Sequence, residues 1–281
     1  MNKQETTSFH NLPFLKKTNP KLLIGVMLGN YVFFILVLPL FALFSLIFKN
    51  SWREILEKAL DPIAISAYAF TIKMALTAAL LNSVFGFLIT WMITRYEFRG
   101  KRFVDAAVDL PFALPTSVAG LTLATVYGHQ GWVGNYLKMA NIQIIYTRFG
   151  VLLAMIFVSF PFVIRSLQPV LQEFDHGLEE AAWGMGASSF QTFLRVIFPT
   201  LVPALVTGFT LSFSRALGEF GSVVMISSNL PLDDLVTSVL IYQSLEQYDY
   251  FGASVIGAVI LLLALIIIFL VNTAQSFYSR R

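Results

Sequence analysis

The stretch Phe251–Val271, FGASVIGAVILLLALIIIFLV, holds 21 residues with Ser254 as its only polar side chain. A helix rises about 1.5 Å per residue, so about 20 residues cross a hydrocarbon core roughly 30 Å thick. Backbone groups without partners are costly there, which makes a crossing segment a helix bonded to itself. Working back toward the N-terminus, comparable apolar runs recur at 201–226, 148–167, 103–127, 66–94 and 22–48. The six runs predict an all-α membrane protein, with six transmembrane helices in a single domain over 1–281. Composition agrees. The chain is 57% hydrophobic and only 12% charged, where a soluble domain carries about 25% charge; its mean hydropathy is +0.73. The first run exceeds the apolar core of a signal peptide, about 7–15 residues, and reads as a retained span.

Several function classes fall away. A net charge of +3 without a large Lys/Arg cluster argues against a nucleic-acid partner. Cysteine is absent, and His10, His129 and His176 are scattered, so no metal site is expected. The sequence contains no Gly-x-x-x-x-Gly-Lys-[Ser/Thr], His-Glu-x-x-His or Gly-x-Ser-x-Gly. It therefore offers no catalytic residue and no cofactor site of its own.

Six spans put both termini on one side. Lys3, Lys16, Lys17, Lys21, Arg95, Arg99, Lys101, Arg102, Arg165, Arg195, Arg280 and Arg281 fall on that side, against Lys49, Arg53, Lys58, Lys138 and Arg148 on the other. The positive-inside rule makes the richer side cytoplasmic, or stromal in a plastid inner membrane. The connection 229–250, with Asp233, Asp234, Glu246 and Asp249, then faces outward.

A few residues break the apolar pattern. Arg215 and Glu219 lie four apart in the fifth run, a spacing that shares one helix face. The pair can neutralise itself, or Arg215 can attract a passing anion, or the two can serve gating or a subunit contact. Pro111 and Pro115 in the third run, and Pro161 in the fourth, mark either ordinary kinks or irregular backbone beside a conduction path. Lys73 reads as a snorkelling side chain. Asp105 and Asp109 can pair with Arg99, Lys101 or Arg102.

The loop 172–199, QEFDHGLEEAAWGMGASSFQTFLRVIFP, is helical in pattern but too polar to cross lipid. Leu178, Ala181, Ala182 and Met185 form one helical face, and Gly186 ends it. Ser188 and Gln191 stand in capping-box spacing ahead of Phe190, Phe193, Leu194 and Ile197, with Pro199 at the start of the fifth span. Helix, tight turn, helix is the reading. Such an elbow is either a docking element, with Glu179 and Glu180 as an acidic edge, or a lid lying on lipid.

The residues Glu180-Ala181-Ala182, Gly186, Val196, Phe198 and Pro199 resemble the "EAA" signature of binding-protein-dependent ABC importer permeases. That pattern reads Glu-Ala-Ala, three residues, Gly, nine residues, Ile, one residue, Leu-Pro. Here Val196 and Phe198 replace Ile and Leu with other apolar residues. The resemblance implies a MetI-like type I fold in which the loop is a cytoplasmic coupling helix. Glu179, Glu180, Ala181, Ala182, Gly186 and Pro199 would meet the ATPase. Asp109–Gly120 resembles the third-span region of sulfate/thiosulfate permeases. Arg215–Gly221 resembles the fifth-span region shared by sulfate and molybdate permeases, and the chain as a whole looks most like the T, or U, type subunit of the sulfate branch. The resemblance implies a non-catalytic pore subunit of an ATP-driven sulfate/thiosulfate importer in a bacterial inner membrane, or alternatively a plastid inner membrane. Its partners would be a homologous second permease, two cytoplasmic ATPase subunits that use ATP and Mg, and an external sulfate-binding protein. Arg215, Glu219, Pro111 and Pro115 would border the path or its gate. The alternatives are a permease for molybdate or another oxyanion, and an ion-coupled secondary transporter with Glu219 as its carboxylate.

Overall fold

A computed structural model describes residues 20–279. These are joined as helices, with no strand among the described residues. Helix α1 (residues 20–47) contains a π-turn at Phe33–Val37. Then follow α2 (Trp52–Ala59), α3 (Pro62–Arg95), α4 (Lys101–Val108), α5 (Leu110–Ala113), α6 (Thr116–Tyr127) and α7 (Trp132–Met139). Next come α8 (Arg148–Gln172), α9 (His176–Gly184), α10 (Ser189–Leu217), α11 (Gly221–Ile226), α12 (Thr237–Glu246) and α13 (Tyr250–Ser279).

Five of these helices, α1, α3, α8, α10 and α13, are long and apolar enough to cross a membrane. The third expected span, 103–127, is not one helix. It is α4, α5 and α6, and only the 12-residue α6 is continuous and apolar. Pro111 opens α5, Leu114 is extended, and Pro115 precedes α6 with ψ 136°. The residue before a proline is biased away from the helical region, which accounts for Leu114. The fifth run, expected to reach 226, stops at Leu217, and α11 forms separately. The fourth runs on to Gln172, straight through Pro161 and Pro169. Arg165, grouped by sequence with the cytoplasmic charges, lies within this helix.

The chain divides into two compact units, with the boundary between Ser51 and Trp52. In the first, α1 is apolar on every side and almost wholly exposed, so its side chains form little core of their own. In the second, α3, α8 and α10 form the centre. Small residues allow the close approach. Val163 of α8 sits between two glycines: a Cβ on Gly86 of α3 would meet its Cγ1 at 3.0 Å, and one on Gly208 of α10 would meet its Cα at 2.9 Å. The same three helices share a buried polar junction. Asn82 donates to Ser159 Oγ at 2.9 Å and Ser212 Oγ at 3.2 Å, and Ser212 bonds Ser159 at 3.1 Å. Because each member is partnered, the junction fixes register without a stranded donor. Thr71 of α3 accepts from the Thr237 amide at 2.8 Å and so caps α12.

Two prolines are absorbed without breaking their helices. Pro39 and Pro199 each stand two residues after a five-residue π-turn, Phe33–Val37 and Phe193–Ile197. A proline cannot donate and its ring crowds the carbonyl four residues back. The π-turn shifts the local pairing, with the Leu38 and Phe198 amides bonding the carbonyls of Phe33 and Phe193 five residues back.

The Val163 crossing predicts a contrast between two glycine substitutions. Gly208→Ala should lower the thermal unfolding midpoint of the detergent-solubilised protein, at an overpacking cost of about 1–3 kcal/mol. Gly29→Ala, whose Cβ would meet nothing within 4 Å, should leave the midpoint unchanged or slightly raised.

Candidate functional site

The elbow between α8 and α10 is built by local chemistry. Asp175 accepts from the Gly177 amide at 2.8 Å and starts α9. Gly186 ends it at φ +85°, in the left-handed region that glycine enters without penalty. The Ala187 amide bonds the Ala182 carbonyl at 3.0 Å and the Gly186 amide bonds that of Trp183 at 2.9 Å, the paired bonds of a Schellman stop. Ser188 and Gln191 then exchange both capping-box bonds at the start of α10. The second arm is not a separate short helix. Through the π-turn it becomes the first two turns of α10, with Pro199 inside.

The α9 face expected to be apolar points mostly away from the protein. Leu178, Ala181 and Met185 are exposed, as are Trp183 and Phe190 nearby, while Ala182 is buried against the body. Glu180 is exposed as well. Glu179 is not: its side chain is 10% exposed and lies 2.6 Å from Arg95 Nη1 at the end of α3. The expected acidic edge is therefore a single outward carboxylate, because the helical turn that exposes Glu180 carries Glu179 inward. Arg95 also stacks over Trp91, 5.0 Å from its ring centre, and Phe174 at 5.5 Å. Phe193 of the elbow packs edge-on against Trp91 at 5.5 Å.

The second group of predicted residues surrounds the two helix breaks. Arg215 and Glu219 do pair, at 2.6 Å, but across the end of α10 and not along one helix face. Glu219, 1% exposed, also accepts from the Ser222 amide at 2.9 Å and the Ser222 hydroxyl at 2.8 Å. It thereby caps α11. Its backbone carbonyl accepts from Ser238 at 2.6 Å. The short α11 lies against α6: a Cβ on Gly120 would meet the Ser222 carbonyl oxygen at 2.6 Å, and Gly221 faces Thr116 and Ser117 just as closely. Pro111 is buried in its break and Pro115 exposed in its own. The two broken segments are thus brought together.

Asp105 and Asp109 find a partner other than the adjacent bases. Arg165 of α8 holds Asp109 through two bonds, 2.8 Å from Nε and 2.7 Å from Nη2, and Asp105 at 2.7 Å from Nη1. Gln168 joins the same cluster. Lys101 pairs with Glu97 instead. Among the described residues, no group of acidic or histidine side chains could hold a metal ion.

The family model for the binding-protein-dependent transport system inner membrane component matches residues 82–281. The chain belongs to that family. A curated relative from Prototheca wickerhamii, named "Probable sulfate transport system permease protein cysT", is 88% identical over 255 residues, covering 91% of this chain and 100% of the relative. The Synechococcus elongatus "Sulfate transport system permease protein CysT" is 52% identical over 250 residues, 89% of this chain and 90% of its own. Among solved structures, a chain of a bacterial ABC transporter for alginate import superposes with a TM-score of 0.72 at 18% identity, covering 91% of this chain and 95% of its own. A chain of the MetNI methionine ABC transporter gives 0.57 at 18% identity, over 78% and 95%. At these identities the two solved structures bear on the fold alone, which is that of the MetI-like importer permeases.

The protein is therefore an integral membrane permease subunit. In this permease the matched region begins at Asn82 and includes the elbow, both helix breaks and the Arg165 cluster, while Arg95 and Asp234 are site residues that spacing did not suggest. Asp234, wholly buried just past α11, accepts from the Ser228 amide at 2.8 Å, the Ser228 hydroxyl at 2.7 Å and the Leu230 amide at 3.0 Å. Burial works against its charge, but the Ser228 and Leu230 bonds outweigh it and hold the carboxyl below its ordinary value. A lowered folded pKa contributes stability that is present above the unfolded value, about 3.9, and lost as pH falls through the folded one. Asp234→Asn should thus lower the unfolding midpoint at pH 7. The gap from wild type should narrow below about pH 4, as thermal melts across pH 3–8 would reveal.

Proposed function

We propose that this chain is one of two membrane subunits of an ATP-driven sulfate importer. The observation that carries the substrate is the 88% identity to a relative named as a sulfate permease, sustained over that relative's whole length. The elbow supports the mechanism. It presents Leu178, Trp183 and Met185 on a short, firmly capped helix, with Glu180 beside them. An apolar, low-charge knob of this kind suits a cleft in a cytoplasmic ATPase subunit.

In this reading a second permease of similar fold completes the pore, and two ATPase subunits, which bind ATP and Mg, drive the elbows together. An external binding protein delivers the anion. Selectivity rests mostly with that protein, and thiosulfate enters by the same route. Ala181 and Gly186 form the docking core with Glu180, Ala182 packs behind them against the body, and Pro199 ends the elbow. Arg215, Glu219, Pro111 and Pro115 lie at the helix breaks bordering the path. Both termini are on the ATPase side. Relatives in Prototheca, Chlorella and Marchantia beside one in Synechococcus favour the plastid inner membrane over a bacterial one.

Two measurements test the reading. Expression of the chain with its partner subunits in a strain lacking its own sulfate permease should restore uptake of radiolabelled sulfate. Excess thiosulfate should compete strongly and molybdate weakly. Uptake should survive a proton uncoupler and stop when the ATPase is inactivated; the opposite pattern points to an ion-coupled transporter. Separately, Glu180→Lys should strip the ATPase subunits from the purified complex while leaving the permease inserted. Undiminished ATPase recovery together with undiminished uptake would remove Glu180 from the docking surface.

A further inference from the structure

Arg95 is the last residue of α3, a 34-residue helix that packs along both α8 and α10. Glu179 lies in the first turn of α9. Each charge already stands at the helix end that favours it, the cation at a C-terminus and the anion at an N-terminus. Their contact therefore joins two helix ends as well as two side chains. The pair is nearly enclosed, at 13% and 10% side-chain exposure. The guanidinium lies over the rings of Trp91 and Phe174, while Nη1 reaches Glu179 at 2.6 Å and His176 Nδ1 at 3.1 Å. A planar, delocalised cation suits this stacked seat in a way that an ammonium group does not.

The alternative paths for force are informative. Gly186 and the extended residues around it join α9 to α10 through one tight turn. On its other side α9 meets α8 through the short link 173–175, whose Phe174 is buried among Leu167, Leu171, Ile197 and Leu201. Both chain links lead to α8 and α10. From α9 the contacts of Arg95 with Glu179 and His176 carry load directly into α3, and Phe193 of the second arm adds ring contacts with Phe87 and Trp91 of the same helix.

We propose that Arg95 and Glu179 form a positioning joint that couples the elbow to α3, so that displacement of α9 moves the third packed helix along with α8 and α10. Glu179 is thereby taken out of the ATPase contact and assigned to the permease's internal linkage, and the contact falls to its neighbour Glu180. The inference rests on the importer reading above. Neither residue touches the transported anion, so the joint acts on the efficiency with which ATP turnover moves cargo.

The test uses the full complex in proteoliposomes with its binding protein and measures sulfate transported per ATP hydrolysed. Arg95→Met keeps an apolar stem under the rings and Glu179→Gln keeps the shape of the carboxylate. Each should lower transport per ATP about 3- to 30-fold, with ATPase subunits recovered in full and the thermal midpoint checked in parallel. The double variant should be no worse than the more affected single one, because the two groups act as a unit. An unchanged transport-to-ATP ratio in both single variants overturns the joint. Loss of ATPase subunits from Glu179→Gln also overturns it, since Glu179 would then be a docking residue. Failure of the wild-type complex itself to take up sulfate with ATP would instead overturn the functional reading on which the joint depends.

Discussion

The permease interrupts its backbone inside apolar sequence, and every interruption frees peptide groups that lipid cannot satisfy. That constraint explains where its polar residues are. At the break after Leu217, Glu219 is fully buried, yet it is neutralised by Arg215 and accepts the Ser222 amide that the broken helix leaves without a partner. A carboxylate in this position caps α11 and removes the cost of its own burial in one step. Past the far end of α11, the Ile226 carbonyl accepts from the Tyr146 amide at 2.8 Å, and Asp234 gathers the Ser228 and Leu230 amides. Both ends of the short helix are thus tied to other elements, which lets six residues hold a fixed place against α6. The break at Pro111–Pro115 is managed differently. There proline removes a donor outright, and the Arg165 cluster secures the preceding α4 from α8.

A fixed centre is what makes such breaks affordable. Val163 pressed between Gly86 and Gly208 leaves α3, α8 and α10 little freedom to slide, and the Asn82–Ser159–Ser212 junction specifies one register. Gly208 lets its backbone come close to that of Val163, Gly86 leaves room for the Val163 side chain, and dispersion replaces the hydrophobic drive that lipid does not provide. The irregular segments are then carried on this bundle. The unsplit helices give stiffness, and the split ones give backbone irregularity held in place by buried polar contacts.

Local features of the elbow were legible in sequence because their partners are neighbours. Ser188 with Gln191, and Gly186 after a helical face, involve separations of five residues or fewer, and the structure reproduces them bond for bond. The membrane-length runs were legible for the same reason, since hydropathy is a property of consecutive residues. What could not be read was any choice among distant partners. Asp105 and Asp109 had three bases close by in sequence, but they pair with Arg165, which lies 60 and 56 positions away. Arg165 wins because an α8 that continues to Gln172 brings a planar fork to two carboxylates spaced one turn apart, whereas Arg99, Lys101 and Arg102 are held on or beside the helix that carries them. The end of α10 was hidden too: Arg215 and Glu219 have the spacing of a helical pair, and the break between them leaves that spacing unchanged.

The elbow shows how a correct periodicity can leave its direction open. Leu178, Ala181 and Met185 do share a helix face, but amphipathic spacing alone does not say whether the apolar face packs inward or outward. Direction is set by the interactions on the other side. Ala182 is small enough for α9 to lie close to the body, and Glu179 finds Arg95, whose guanidinium lies over Trp91 and Phe174. Once a carboxylate is the inward residue, the helix turns its larger apolar side chains, Leu178, Trp183 and Met185, toward the outside. In a soluble monomer that orientation would be a liability. In this permease subunit a buried ion pair on one side and an exposed apolar knob on the other are two consequences of the same rotation of α9.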